Sequence, residues 1–195
     1  MSFERTSPTN ERLSGLVVWF TGLSGAGKTT IAAEVEKSLR ARRIPVYALD
    51  GDVLRQGLNS DLDFSPAGRQ ENIRRTAEVA RLFQDAGLVV LASFISPQRA
   101  MRAFARERVP DGAFIEVYVQ ASIETCVRRD PKGNYARALA GEIRNYTGIN
   151  QEYEEPLKPE LVLNTEQLSL AACAAIVLDE IDRRLANENQ KNSGE

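Results

Sequence analysis

Apolar residues in this chain gather into short runs at residues 16–20, 45–49, 88–94, 114–119 and 161–163. Each run has strand length and is bounded by glycine, proline or polar residues, so each reads as a β-strand. Between them the apolar spacing becomes helical, at about residues 30–39, 67–86, 97–108 and 168–185. In the second of these, Ile73, Ala77, Ala80 and Phe83 can share one inward face, and Gly87 follows as a C-terminal stop. Strands and helices in alternation predict an α/β fold: a three-layer sandwich with a mostly parallel five-stranded sheet and helices on both faces. No internal repeat or domain-sized linker interrupts it, so residues 1–195 form one domain with its core at about 14–185. Residues 1–11 and 187–195 are polar and are expected to be mobile.

One segment departs from the pattern. Residues 128–146 are rich in arginine and broken by Pro131, Gly133 and Gly141. A flexible lid and a solvated helical hairpin would both have this composition.

The junction between the first strand and the first helix carries the most specific chemistry. Gly22, Leu23, Ser24, Gly25, Ala26, Gly27, Lys28 and Thr29 fit the phosphate-binding loop G-x-x-x-x-G-K-[ST] of the P-loop NTPase fold, and Thr30 opens the helix. Three glycines let backbone N–H groups curl around an anion, and the helix N-terminus adds its positive dipole end. Lys28 would reach the outer phosphates and the Thr29 hydroxyl would ligate Mg²⁺, so ATP with Mg²⁺ is the expected cofactor.

Composition narrows the rest. A net charge of −2 argues against broad nucleic-acid binding, and no apolar run is long enough to span a membrane. Histidine is absent, so acid–base chemistry must come from carboxylates, lysine or the substrate phosphate, and histidine-ligated zinc is excluded. The two cysteines, Cys126 and Cys173, lack metal-ligand spacing and lie in apolar helical patterns, as buried free thiols do. With no signal peptide, these features point to a cytoplasmic protein.

A phosphate loop does not name a reaction. There is no N-K-x-D run for guanine, and the 88–94 strand does not end in the acidic residue of a motor ATPase. Asp50 and Asp52, after the second strand, could instead hold the metal's water shell or take a proton from a hydroxyl being phosphorylated. They could equally form a polar turn that caps the next helix. Beyond them Arg55, Arg69, Arg74 and Arg75 gather around Phe64 and Asn72. That is either a solvated arginine face or a pocket for an anionic nucleotide, with Phe64 on the base and arginines on phosphate or sulfate oxygens.

These residues closely resemble the adenylyl-sulfate kinase family. The matching pieces are the phosphate loop, 49–52, Arg55, 57–59, 61–62, 64–65, Arg69, 71–75, 94–97, 129–133 and 147–149, so the resemblance covers about residues 14–165. It implies ATP-dependent phosphorylation of the 3′-hydroxyl of adenylyl sulfate and, less directly, a homodimer. It implies that Asp52, Arg55, Phe64, Arg69, Asn72, Ile95, Ser96 and Pro97 line the substrate pocket. It also implies a mobile lid with Arg129 against the ATP adenine and Lys132 near the phosphates, with Lys132 and Gly133 also contacting the substrate. Ser96 matches the family's phosphoserine, although direct in-line transfer needs no such intermediate; Ser96 would then line the pocket or cap the next helix. Asp52 is the first choice to orient or deprotonate the hydroxyl, with Asp50 the alternative or a metal ligand beside Thr29. The chain departs from the family pattern at Gln56, at Gly68 in place of a common Asp, and at Asn150 and Glu152. Another hydroxyl acceptor, or a catalytically silent nucleotide-binding module, remain as other readings.

Overall fold

A computed structural model describes residues 15–192. Five strands, β1 (Leu16–Thr21), β2 (Val46–Asp50), β3 (Val89–Ser93), β4 (Phe114–Gln120) and β5 (Leu161–Asn164), form one sheet in the order β2-β3-β1-β4-β5. Every pairing is parallel, which sharpens the expectation of a mostly parallel sheet.

The unbroken apolar run of β1 follows from its central place. Successive side chains point to opposite faces, and both faces are covered. Val18 and Phe20 pack with Val35 and Leu39 of α1 (Lys28–Ala41) and with Val177 and Ile181 of α7 (Leu170–Asn192). Val17 and Trp19 pack on the other face against Ile73 and Ala77 of α3 (Pro66–Asp85) and Met101 and Ala105 of α4 (Arg99–Arg106). Each fully buried large side chain of this kind stabilises the fold by about 1.5–3 kcal/mol. Trp19 is stacked with Phe94 at 5.5 Å and with Phe114 at 6.1 Å.

Local signals agree with this packing. Ser65 caps α3, its hydroxyl accepting from the Gly68 N–H at 3.1 Å, and Pro66 follows with its φ already helical. Gly87 has φ 87°, the left-handed stop that glycine takes most easily. Helix α7 runs on to Asn192, into the stretch whose polarity suggested a free tail; residues 1–11 lie outside the described residues. Both cysteines are buried free thiols.

The arginine-rich segment contains the end of α5 (Ile123–Arg129) and all of α6 (Asn134–Leu139). It is anchored at Tyr135, Ala138 and Tyr146, which are buried in the main core, while residues 131–132, 139–142 and 144–145 are exposed. Among the described residues no helix is long and apolar enough to cross a membrane.

Candidate active site

The carboxyl ends of β1, β2 and β3 lie side by side, so the loops that leave them converge. This is where parallel α/β sheets place their ligands. The phosphate loop leaves β1. Gly22, Gly25 and Gly27 have φ of 140°, 76° and 111°. A Cβ on Gly22 would stand 2.3 Å from the Val119 carbonyl oxygen, so only glycine fits there. Gly27 precedes α1, which has no side-chain cap and no acidic residue in its first turn. The first N–H groups of α1 therefore face the loop without a protein acceptor, as an anion site requires.

Lys28 is only 8% exposed and folds back on the loop, donating to the carbonyls of Gly22 at 3.0 Å and Leu23 at 2.7 Å. Burial lowers its pKa from 10.5 to about 8; Cys126 and then Asp50 work in the opposite direction. The Thr29 hydroxyl donates to Asp50 Oδ2 at 2.9 Å, while Asp50 Oδ1 accepts from the Asp52 N–H at 2.9 Å. Asp50 thus caps α2 (Gly51–Leu54), as one of its two sequence readings expected, while its other oxygen faces Thr29 of the phosphate loop. Asp52 is exposed and ion-paired with Lys132, which extends over the site from the stretch between α5 and α6.

A second group of residues lies beyond α2. Phe64 is 58% exposed, with the Arg55 guanidinium 4.2 Å and the Arg69 guanidinium 5.8 Å from its ring centroid. Arg55 donates to the carbonyls of Leu62 and Asp63, and Arg69 to those of Phe64 and Asn145. Neither has a carboxylate partner among the described residues, and burial lowers the pKa of both, with the Arg55 charge adding to the effect on Arg69. Two half-buried cations held by neutral oxygens alone, the backbone carbonyls and, for Arg69, the Thr147 hydroxyl at 3.4 Å, leave positive charge for an incoming anion.

Arg74 and Arg75 do not belong to this group; of the two readings that the sequence left open, they fit the solvated arginine face. Arg74 pairs with Glu71 at 2.7 Å, and Arg75 pairs with Asp61 at 2.7 Å and Glu71 at 2.9 Å. The i−3 and i−4 spacing from Glu71 supplies the partner. Asn72 is buried, its side-chain oxygen accepting from Asn59 Nδ2 at 2.9 Å. Gly68 has no room for a side chain in this backbone: a Cβ there would meet Asp63 Oδ1 at 2.3 Å and the Asp63 carbonyl at 2.6 Å. Gln56 is exposed, and Asn150 accepts from the Tyr146 N–H at 2.6 Å.

The third wall is the loop that leaves β3. Ile95 is half-buried and Pro97 buried. Ser96 is 2% exposed and has φ 39°, a conformation that costs a non-glycine residue about 1–3 kcal/mol. Its hydroxyl accepts from Trp19 Nε1 at 3.1 Å and donates to Thr21 Oγ1 at 2.9 Å. It does not cap α4, whose N-cap is Gln98.

The sequence reading missed the partners of these groups. Thr21, Tyr153 and the 165–173 wall of the nucleotide pocket carry no motif. Arg129 donates to the Thr165 carbonyl at 2.9 Å and to its hydroxyl at 3.0 Å. Together with Gly27, Thr30, Leu168 and Cys173 it lines a cavity of about 330 Å³ beside the phosphate loop, the size of a nucleobase with room to enter. Gly133, at φ 65°, has nothing within 4 Å of where a Cβ would stand and lets the chain turn into α6.

A phosphate loop on the central strand, a nucleobase-sized cavity beside it and a cationic aromatic cluster beyond α2 define a P-loop kinase of small molecules. Comparison with known proteins gives the family. The model of the adenylylsulphate kinase family matches residues 14–164. The adenylyl-sulfate kinase of Citrobacter koseri is 58% identical over 154 residues, 79% of this chain and 77% of that protein. The corresponding enzyme of Vibrio vulnificus is 51% identical over 168 residues, 86% of this chain and 81% of that protein. Among solved structures, the Mycobacterium tuberculosis APS kinase CysC in complex with AMPPNP and APS superposes with a TM-score of 0.83 at 45% identity, covering 87% of this chain and 98% of that one. The chain belongs to the adenylyl-sulfate kinase family.

Proposed function

We propose that this protein transfers the γ-phosphoryl group of ATP to the 3′-hydroxyl of adenylyl sulfate, giving 3′-phosphoadenylyl sulfate and ADP. The single observation that supports this reading is that the phosphate loop has both a cavity and a cationic cluster to serve it. The cavity is lined by Arg129 and Thr165, and the cluster holds Arg55 and Arg69 around an exposed Phe64.

In this mechanism the loop N–H groups and Lys28 hold the β- and γ-phosphates, and Lys28 neutralises charge that builds on the transferring group. The ATP base enters the cavity beside Arg129. The two oxygens of Thr29 and Asp50 are hard donors already in contact, and they suit Mg²⁺ bound chiefly by phosphates and water. When bound, the ion would draw charge from the phosphate oxygens. Phe64 packs on the adenine of the second nucleotide while Arg55 and Arg69 hold its phosphosulfate. Asp52 orients the 3′-hydroxyl and takes its proton, once Lys132 has exchanged that carboxylate for the phosphates. The exposed turn at 130–133 serves as the lid; the rest of 128–146, anchored by Tyr135, stays in place. Closure excludes water and so limits ATP hydrolysis. Ser96, buried and fully hydrogen-bonded, supports the pocket wall in a direct in-line transfer. The protein is expected to work in the cytoplasm as a homodimer, which light scattering would check.

The test is ADP release from ATP and Mg²⁺ with and without adenylyl sulfate, with the nucleotide product identified by mass. Formation of 3′-phosphoadenylyl sulfate is expected. ADP release that ignores adenylyl sulfate and accelerates with another alcohol would refute the reading.

A further inference from the structure

Arg102 lies on α4, outside the pockets described so far, and is 2% exposed. A guanidinium so deep in the protein is tolerated only when its N–H groups are taken up. Here all three nitrogens have partners. Nε donates to Glu116 Oε1 at 2.8 Å, Nη1 to the Ser96 carbonyl at 2.7 Å and Nη2 to the Glu154 carbonyl at 2.6 Å. The two carbonyls belong to different segments, the loop after β3 and the stretch at 153–155. The Tyr153 ring lies 5.6 Å from the same guanidinium.

These segments are joined to each other as well. The Glu154 N–H donates to the Pro97 carbonyl at 2.8 Å, the Arg99 N–H to Glu154 Oε2 at 2.8 Å, and the Tyr153 hydroxyl meets Thr21 Oγ1 at 2.9 Å. Thr21 in turn donates to the Ile95 carbonyl at 2.8 Å. The left-handed backbone at Ser96 would relax if nothing held it, and Arg102 grips the carbonyl of that same residue. The planar fork of arginine holds a carboxylate and two carbonyls in fixed directions; a lysine ammonium on its single stem does not. Glu116 sets the fork. It lies on β4 beside Trp19, and a weaker contact to Arg106 at 3.4 Å leaves Arg106 anchored to Glu160 at 2.7 Å.

We propose that Arg102, oriented by Glu116, is a positioning residue for the acceptor nucleotide. It holds residues 95–97 and 153–155 in the shape the pocket needs, without touching substrate. The nucleotide cavity, formed by residues 25–31, 129–131 and 165–173, shares no residue with this clamp. The effect therefore falls on adenylyl sulfate and spares ATP. The inference rests on the acceptor assigned above.

The discriminating variant is the double substitution Arg102→Met with Glu116→Leu. An apolar pair in place of a buried ion pair is often as stable as the original, so the fold can be restored without the clamp. Arg102→Lys, which keeps the charge beside Glu116, is the companion variant. Steady-state kinetics and thermal melting are read on both and on the parent. The expected result is a KM for adenylyl sulfate at least tenfold higher in both variants, a KM for ATP within twofold, and a melting temperature of the double variant near that of the parent. Unchanged KM for adenylyl sulfate in either folded variant overturns the proposal, as does an equal rise in both KM values. If the double variant fails to fold, Arg102→Lys decides alone by the same split. A parent that does not phosphorylate adenylyl sulfate refutes the acceptor assignment, and the inference falls with it; a parent that does, with insensitive variants, refutes the inference alone.

Discussion

Lys28 gives the nucleotide site a proton switch that can be measured without any catalysis. Burial holds its pKa near 8 in the nucleotide-free protein, against 10.5 in water. That difference corresponds to about 3 kcal/mol of desolvation left uncompensated by the neighbouring carboxylates. A bound triphosphate supplies the missing counter-charge and should raise the pKa back toward its ordinary value, so ATP binding must take up a proton wherever the free lysine has lost it. With a pKa of about 8, uptake is about half a proton at pH 8 and about nine-tenths at pH 9. If only the ammonium form grips the phosphates, affinity falls about tenfold between pH 7 and pH 9. Titration calorimetry with a non-hydrolysable ATP analogue, at pH 8 and 9 in two buffers of different ionisation enthalpy, reads the uptake directly. The phosphates of the ligand are already ionised there and add little. Lys28→Met serves as the control and should show no uptake. Flat affinity from pH 7 to 9 with no proton exchange would refute the reasoning. The linkage runs the other way for the nucleotide-free fold. Between pH 8 and 10.5 the unfolded chain keeps a proton that the folded one has released, so stability rises with pH across that window and the gain is absent below it.

Three further outcomes follow from the geometry. Phe64→Ala should raise KM for adenylyl sulfate by tenfold or more, as loss of about 1–3 kcal/mol of base stacking would, while KM for ATP stays within twofold; equal shifts would count against the stacking role. Gly68→Asp would place favourable charge at a helix N-terminus, worth about 0.5 kcal/mol, but the clash with Asp63 costs about 1–3 kcal/mol, so the denaturation midpoint should drop, and a stabilised variant would contradict the packing argument. Thr29→Val keeps the shape and removes the oxygen beside Asp50, so the Mg²⁺ concentration for half-maximal activity should rise about tenfold, and an unchanged Mg²⁺ dependence would remove Thr29 from the metal site.

The parts of this molecule that were readable in its sequence are those with local causes. All five strands announced themselves as apolar runs, the central three because a parallel sheet covered on both faces needs no polar alternation, and the observed ranges lie within a residue or two of the expected ones; the edge strands β2 and β5 are apolar although Tyr47 and Val162 are exposed. The phosphate loop was readable because glycine, lysine and threonine are each required at fixed offsets in one turn. The arginine group was legible only in part. Glu71 at i−3 and i−4 could have shown that Arg74 and Arg75 were spoken for, yet the Asp61 contact that completes Arg75 depends on how the 55–65 loop folds back. Gly68 looked like a lost charge until its backbone was seen against Asp63. Thr165, Cys173, Arg102 and Glu116 were invisible for a common reason. Their partners lie far away in sequence, and neither a threonine in a loop nor an arginine on a helix signals what tertiary packing will bring to it.

The strand order also separates, along the chain, the parts that must meet beside the phosphate loop. The central strand β1 and that loop lie at one end of the domain's sequence, but β1 is flanked by β3 and β4, and the cavity beside the loop is closed by residues 165–173. The Arg42–Asp182 pair at 2.5 Å similarly ties the first helix to the last. The glycine-rich loop therefore has no walled cavity beside it until residues 165–173 have packed against it. Any ligand that fills this cavity binds only the state in which those residues have docked, and so favours that state by mass action.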